Sequence, residues 1–314
     1  MGRHSQNLLY ALNRATSKGT ENEKTAKQYE KHNKKFYEFC KENNITNTKH
    51  IKGNETETIQ KYANRLKEEG KSAATIHTYI AGPCKGLGVK MSEIEKPLRT
   101  SLDITRSREN FKNEQGNKEE NDPRFQRLIK FAGIVGIRRE EYEALKIKNI
   151  KQDENGYFCI EVEKGKGGKY QLQRILPENI QDVKAILKDS KGEYVFSKEE
   201  MNNKIDLHAY RAKNAQKAYE YYEKRIKTEK GYKEKLYAEL VDRWTHLHKY
   251  DPHAFKKYIY ELKTELYVCR GNTREISAAN HNRTEWNRLA VMAVSVFHLS
   301  HWRSNVTVNN YLIN

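Results

Sequence analysis

The sequence predicts a mainly α-helical chain with one small β-sheet, an α+β architecture in two parts. Three observations predict it. Apolar residues recur at helical spacing through most of the chain. One stretch, 157–176, instead alternates as a strand pair does. Residues 104–121 carry many charges and almost nothing apolar, which reads as a linker between an N-terminal domain, 1–103, and a C-terminal one, 122–314. A chain of 314 residues has room for two such domains.

Taken in order, residues 1–20 are polar except for Leu8, Leu9, Tyr10 and Leu12, which suit an arm or a short helix. Ala26, Tyr29, Phe36, Phe39 and Cys40 mark a helix over 22–43, with lysines on its other faces. Ile59, Tyr62, Ala63 and Leu66 mark a second over 57–69. Ser72 is an N-cap for a third, carrying Ala73, Ile76, Tyr79 and Ile80 and expected to stop at Gly82-Pro83. A weaker segment lies at 91–98. Asp122-Pro123 pairs an N-cap with a proline at the first helical position, and Phe125, Leu128, Ile129 and Ala132 form the buried stripe that follows.

Phe158, Ile160 and Val162, then Tyr170, Leu172, Arg174 and Leu176, flank the turn Lys164-Gly165-Lys166-Gly167-Gly168-Lys169, a hairpin with a lysine-rich tip. A helix over 178–188 and an apolar stretch at 194–196 come next. The pattern from Arg211 to about Tyr267 is helical, with a new start at Asp251-Pro252; its Tyr/Lys mixture over 218–260 reads as a solvated helical hairpin with tyrosines partly in the core. Residues 271–283 read as a loop. Trp286, Leu289, Met292, Ala293, Val296 and Leu299 then form an amphipathic helix leading into His301.

The formal net charge of +17 favours a polyanionic partner, nucleic acid above all. Cys40, Cys84, Cys159 and Cys269 form no Cys-x-x-Cys pair, so neither a zinc site nor a disulfide framework is indicated, and reduced thiols in the cytoplasm fit. No run of about 18 apolar residues predicts a membrane span, and the first residues lack the apolar core of a signal peptide. His246, His248, Asp251 and His253 resemble metal ligands, but their spacing matches no site type, and no cofactor is expected.

Metal-free transfer of a DNA phosphodiester needs a nucleophile, cations to neutralise the transition state, and a proton for the leaving 5′-oxygen. Arginine forks grip phosphate oxygens bidentately, a phenol can attack, and imidazoles move protons near neutral pH. Such residues stand in order along this chain: Gly136-Ile137-Arg138-Arg139-Glu140-Glu141, then His208-Ala209-Tyr210-Arg211, then His301, then Tyr311. This order resembles the tyrosine recombinases, the phage-type integrases. The resemblance implies that Arg138 is the first clamp arginine, with Arg139 the alternative one register away, and that Glu141 is the buried acid orienting that segment. It implies that His208 and Arg211 form the His-x-x-Arg box, that His301 is the third-box histidine, and that Tyr311 is the nucleophile. A hairpin lysine, Lys166 with Lys164 and Lys169 as rivals, resembles the general acid. The helical N-terminal part would be the family's core-binding domain and 122–314 its catalytic domain, closing as a C-shaped clamp.

Two features depart from the family pattern. Arg211 and His301 lie 90 residues apart, which implies a helical insertion near 212–285. Integrases of Gram-positive mobile elements look similar here, including a stretch like Tyr267-Val268-Cys269-Arg270-Gly271. Trp302 stands nine residues before Tyr311, where some relatives use tryptophan as the third-box residue; Leu299-Ser300-His301 looks like the usual Leu-Gly-His and favours His301. The expected activity is site-specific recombination or integration through a 3′-phosphotyrosyl intermediate. The expected partners are double-stranded DNA carrying attachment or recombination sites, three further protomers in a homo-tetramer, and an accessory excision factor. The alternatives are a non-catalytic basic DNA-binding protein of the same fold and an enzyme like the type IB topoisomerases.

Overall fold

The structure, a computed structural model, describes residues 7–98, 118–248 and 251–313, without the side chains of 167, 272 and 276. The chain divides into two compact units, Met1–Ile104 and Thr105–Asn314. Residues 1–6 of the expected arm and 104–117 of the expected linker lie outside the described residues. The architecture is mainly α-helical with two small antiparallel sheets.

In the first unit, α1 (Leu8–Lys18), α2 (Glu23–Glu42), the short α3 (Thr48–Ile51), α4 (Glu55–Glu68) and α5 (Ala73–Leu87) enclose a core of Leu8, Leu12, Phe36, Cys40, Ile59, Ile76 and Ile80. Asn7, Asn22 and Ser72 accept hydrogen bonds from backbone amides three residues on, satisfying amides left open at helix starts. α5 does not stop at Gly82-Pro83. It continues to Leu87 and ends at Gly88, where φ is +73°. Tertiary packing overrides the local breaker. A Cβ on Gly82 would lie 2.8 Å from Asn33 Oδ1, and one on Gly86 2.7 Å from Leu12 Cδ2, so these glycines let α5 approach α2 and α1. The segment 91–98 holds one 3₁₀ turn, Met91–Glu93, and no longer helix.

In the second unit, Asp122 caps a 3₁₀ turn, Pro123–Phe125, that leads into α6 (Gln126–Ile134). α7 (Arg139–Glu143) follows. Strands β1 (Ile150–Gln152), β2 (Phe158–Val162) and β3 (Gln171–Arg174) form an antiparallel sheet in that order, with Ile150 opposite Ile160 and Cys159 opposite Arg174. A 3₁₀ turn, Lys166–Gly168, occupies the β2–β3 tip. After α8 (Ile180–Lys188) and α9 (Lys198–Met201) come three longer helices, α10 (Leu207–Thr228), α11 (Tyr232–Leu247) and α12 (Pro252–Lys263).

The expected helical hairpin with tyrosines partly in the core is there, but it is more deeply packed than solvated. Tyr219, Tyr222, Leu236, Leu240, Trp244 and Tyr258 are buried together with Met292 and Phe297. β4 (Leu266–Val268) pairs with β5 (Glu285–Asn287), and between them the stretch expected as a loop holds α13 (Asn272–Ala279). The helix expected from Trp286 onward begins after Asn287, whose side chain caps α14 (Arg288–Ala293); Trp286 belongs to β5. A π-turn, Val294–His298, leads to His301, and α15 (Ser304–Thr307) runs into a second π-turn, Val308–Leu312, that carries Tyr311. Among the described residues no helix is long and apolar enough to cross a membrane.

Candidate active site

α10 positions the first pair. Asp206 accepts hydrogen bonds from the amides of His208 and Ala209, which fixes His208 in the opening turn and puts Arg211 three residues on, along the same face. Arg211 is fully buried. Its guanidinium donates to the carbonyl of Gly136 and, at 2.7 Å, to that of Leu299, so one side chain joins α10 to the segment before Arg138 and to the loop before His301. Gly136 sits tight against α10, where a Cβ would lie 3.3 Å from Asn214 Cβ. Asn214 Nδ2 donates to Ala132 O at 2.6 Å and ties α10 to α6.

Arg138 precedes α7. Its amide donates to Glu141 Oε2 at 2.7 Å and its Nη1 to Oε1 at 2.6 Å, so the buried carboxylate holds both ends of the residue. Gln171 Nε2 also donates to that carboxylate, at 3.2 Å. A Cβ on Gly165 would overlap the Gln171 carboxamide, so a side chain there would displace the group that bonds Glu141. Arg139 points elsewhere, to Asn203 Oδ1 at 3.0 Å and the carbonyl of Ile205.

Tyr311 is buried and faces three of the expected groups. Its ring lies 5.5 Å from that of His208 and 5.8 Å from that of His301, and Arg211 Cζ stands 5.7 Å over it. The Arg211 and Arg138 charges both act on His301. Burial first, then these arginines and Arg303, lower its pKa to about 3, so the imidazole is neutral near pH 7. His301 Nδ1 lies 3.2 Å from Ser295 Oγ, while the buried Nε2 has no protein partner. Ser300 and Trp302, on either side, have φ of 52° and 57°, the region that favours glycine. Trp302 turns its ring to His248 at 4.6 Å and Tyr258 at 5.8 Å.

The hairpin lysines differ in placement. Lys164 and Lys166 are exposed, and no described contact joins them to Tyr311. Lys169 lines a cleft of about 350 Å³ together with Gln171, Ser300, His301 and Trp302. The structure therefore gathers His208, Arg211 and His301 about Tyr311, sets Arg138 where its charge acts on Arg211 and His301, and leaves Lys166 exposed at the tip.

Sequence reasoning missed Gln171, Ser295, Arg174 and His298. His298 is buried 3.1 Å from the Tyr222 hydroxyl, and burial, then Arg174 and Arg211, lower its pKa to about 3. It precedes His301 by three residues, and the fold puts His301, not His298, against Tyr311. Among the described residues no group of three or more His, Cys, Asp or Glu could hold a metal ion.

No protein-family model and no curated protein matches the chain. Among solved structures it is similar to an arginine-substituted form of the Tn1549 transposon integrase in complex with a circular intermediate DNA, at 12% identity and a TM-score of 0.43 over 98% of this chain and 95% of that one. A tyrosine-substituted form of the same integrase, in complex with transposon right end DNA, gives 13% and 0.43 over 97% and 94%. XerA recombinase gives 15% and 0.27 over 88% and 98%.

Proposed function

We propose that this protein is a tyrosine recombinase that cuts and rejoins DNA through a covalent 3′-phosphotyrosyl link. The observation that carries the reading is the convergence of the Arg211 guanidinium and two imidazoles on one buried phenol, with the Arg138 charge acting on both Arg211 and His301. A phosphate seated between Arg138 and Arg211 has its charge neutralised while Tyr311 Oη attacks phosphorus. As the Oη–P bond forms, the phenol loses its proton to an imidazole beside it, His208 or His301, with the bound phosphate offsetting the arginine charges that otherwise disfavour imidazolium. As the P–O5′ bond breaks, the 5′-oxygen takes a proton from a hairpin lysine. The shared cleft with His301 favours Lys169 over Lys166 and Lys164 for that step. Rejoining is the reverse, with a 5′-hydroxyl as attacking group.

On this reading the helical first unit is a core-binding domain for duplex DNA, and the net charge of +17 supplies the phosphate contacts. Recombination between two sites calls for a tetramer on DNA, and integration or excision of a mobile element is the use that the insertion-bearing sequence pattern favours. The test is a duplex nicked so that cleavage traps the adduct, run on a denaturing gel. Wild-type protein forms a covalent protein–DNA band, and Tyr311→Phe binds the duplex but forms none. A Tyr311→Phe protein that still forms the band would overturn the assignment.

A further inference from the structure

The insertion helix α11 lies along the lysine hairpin from its base to its tip. At the base, Glu239 accepts from Arg174 Nη1 at 2.8 Å through one carboxylate oxygen and from the Tyr157 hydroxyl at 2.9 Å through the other. Arg174 ends β3 and Tyr157 precedes β2, so one carboxylate grips both strands. One turn on, Arg243 reaches Asp153 at 3.7 Å in the β1–β2 turn. At the other end, Leu247 and His248 line the same cleft as Lys169 and Tyr170. From Glu239 to Leu247 a helix rises about 12 Å, and from Arg174 back to Tyr170 a strand spans about 13 Å. The helix and the strand are matched in length.

The same helix also reaches the His301 loop. His248 meets the Trp302 ring edge-on at 4.6 Å, and Trp244 stacks on His248 at 5.0 Å. Arg174 and Arg243 both lie against Phe297, at 3.7 and 5.5 Å, in the π-turn that precedes His301. Two short, irregular segments thus take their placement from one regular helix: the lysine turn and the strained Leu299–Arg303 loop.

We propose that α11 is a splint that sets the lysine hairpin over the scissile phosphate, with Glu239 as its principal positioning residue for protonation of the leaving 5′-oxygen. The proposal rests on the recombinase reading above. Glu239 touches neither phosphate nor nucleophile; it acts through the hairpin. Removing its charge leaves Arg174, which is buried between the Tyr157 and Phe297 rings, without a counter-ion and frees the base of the hairpin. The lysine then reaches O5′ less often, while Arg138, Arg211 and Tyr311 keep their places.

A 5′-bridging sulfur separates these effects. A thiol ionises near pH 8.5, roughly, so a thiolate leaves without a proton, whereas an alkoxide needs one. Wild-type, Tyr311→Phe and Glu239→Gln proteins are compared on the nicked duplex with oxygen and with sulfur at the scissile 5′ position. Glu239→Gln is expected to form the adduct about 100-fold more slowly on oxygen and within about threefold of wild type on sulfur. Should the glutamine variant not fold, Glu239→Asp, which keeps the charge and withdraws it by one methylene, carries the same comparison. Equal slowing on both substrates, or none on either, overturns the splint. Wild-type protein that forms no adduct on either substrate overturns the recombinase reading itself.

Discussion

Replacing Arg211 by lysine tests two readings of one side chain at once. The guanidinium is wholly buried and donates to two main-chain carbonyls, of Gly136 and Leu299, while standing over the Tyr311 ring. Lysine keeps the charge but offers one ammonium, which cannot bond both carbonyls and grip a phosphate edge. One buried carbonyl left without a donor costs about 1–3 kcal/mol. For a unit of this size that lowers the melting temperature by about 2–12 °C. Loss of the planar fork that stabilises the pentavalent phosphorus slows adduct formation by about 10²–10³-fold. DNA affinity and its salt dependence change little, since at most one phosphate contact of many is altered. The assays are single-turnover cleavage of the nicked duplex, a thermal melt and a binding titration. A lysine variant that melts with the wild type and cleaves at the wild-type rate would refute both the bridging role and the clamp.

Glu141→Gln should slow cleavage about tenfold to a hundredfold with DNA binding intact, because an amide nitrogen replaces one of the two oxygens that hold the Arg138 amide and guanidinium; unchanged single-turnover rates would count against that anchor. Acid should destabilise the second unit early. His298 and His301 have folded pKa values lowered from 6.5 to about 3. The unfolded chain therefore takes up protons below pH 6.5 that the folded one refuses. The stability contribution is complete above 6.5 and is lost as pH falls toward 3, by up to about 1.4 kcal/mol per pH unit for each histidine. A melting temperature that stays level between pH 6.5 and 5 would contradict it.

Residue chemistry made the site readable more than local pattern did. Arginine, His-x-x-Arg, histidine and a late tyrosine are types that few structural duties require in that order, and His208, Arg211 and His301 lie around Tyr311, with the Arg138 charge acting on His301. The hairpin was readable because Phe158, Ile160 and Val162 alternate over a full strand. β1, β4 and β5 were not, since three residues are too few to show a period. α5 passes Gly82-Pro83 because contacts with Asn33 and Leu12, distant in sequence, set its course. The grip of Glu239 on Arg174 and Tyr157 joins residues 65 and 82 positions apart, and no window along the chain contains both partners.

The turn that carries Tyr311 packs against α10, the helix of the same chain that supplies His208 and Arg211. On the proposed reading, the nucleophile and the His208, Arg211 and His301 around it therefore come from one polypeptide. Two differently crippled copies, one without its phenol and one without its clamp, are then expected to restore no cleavage when mixed. What assembly would add, on that reading, is order in time: which copy cuts, and when.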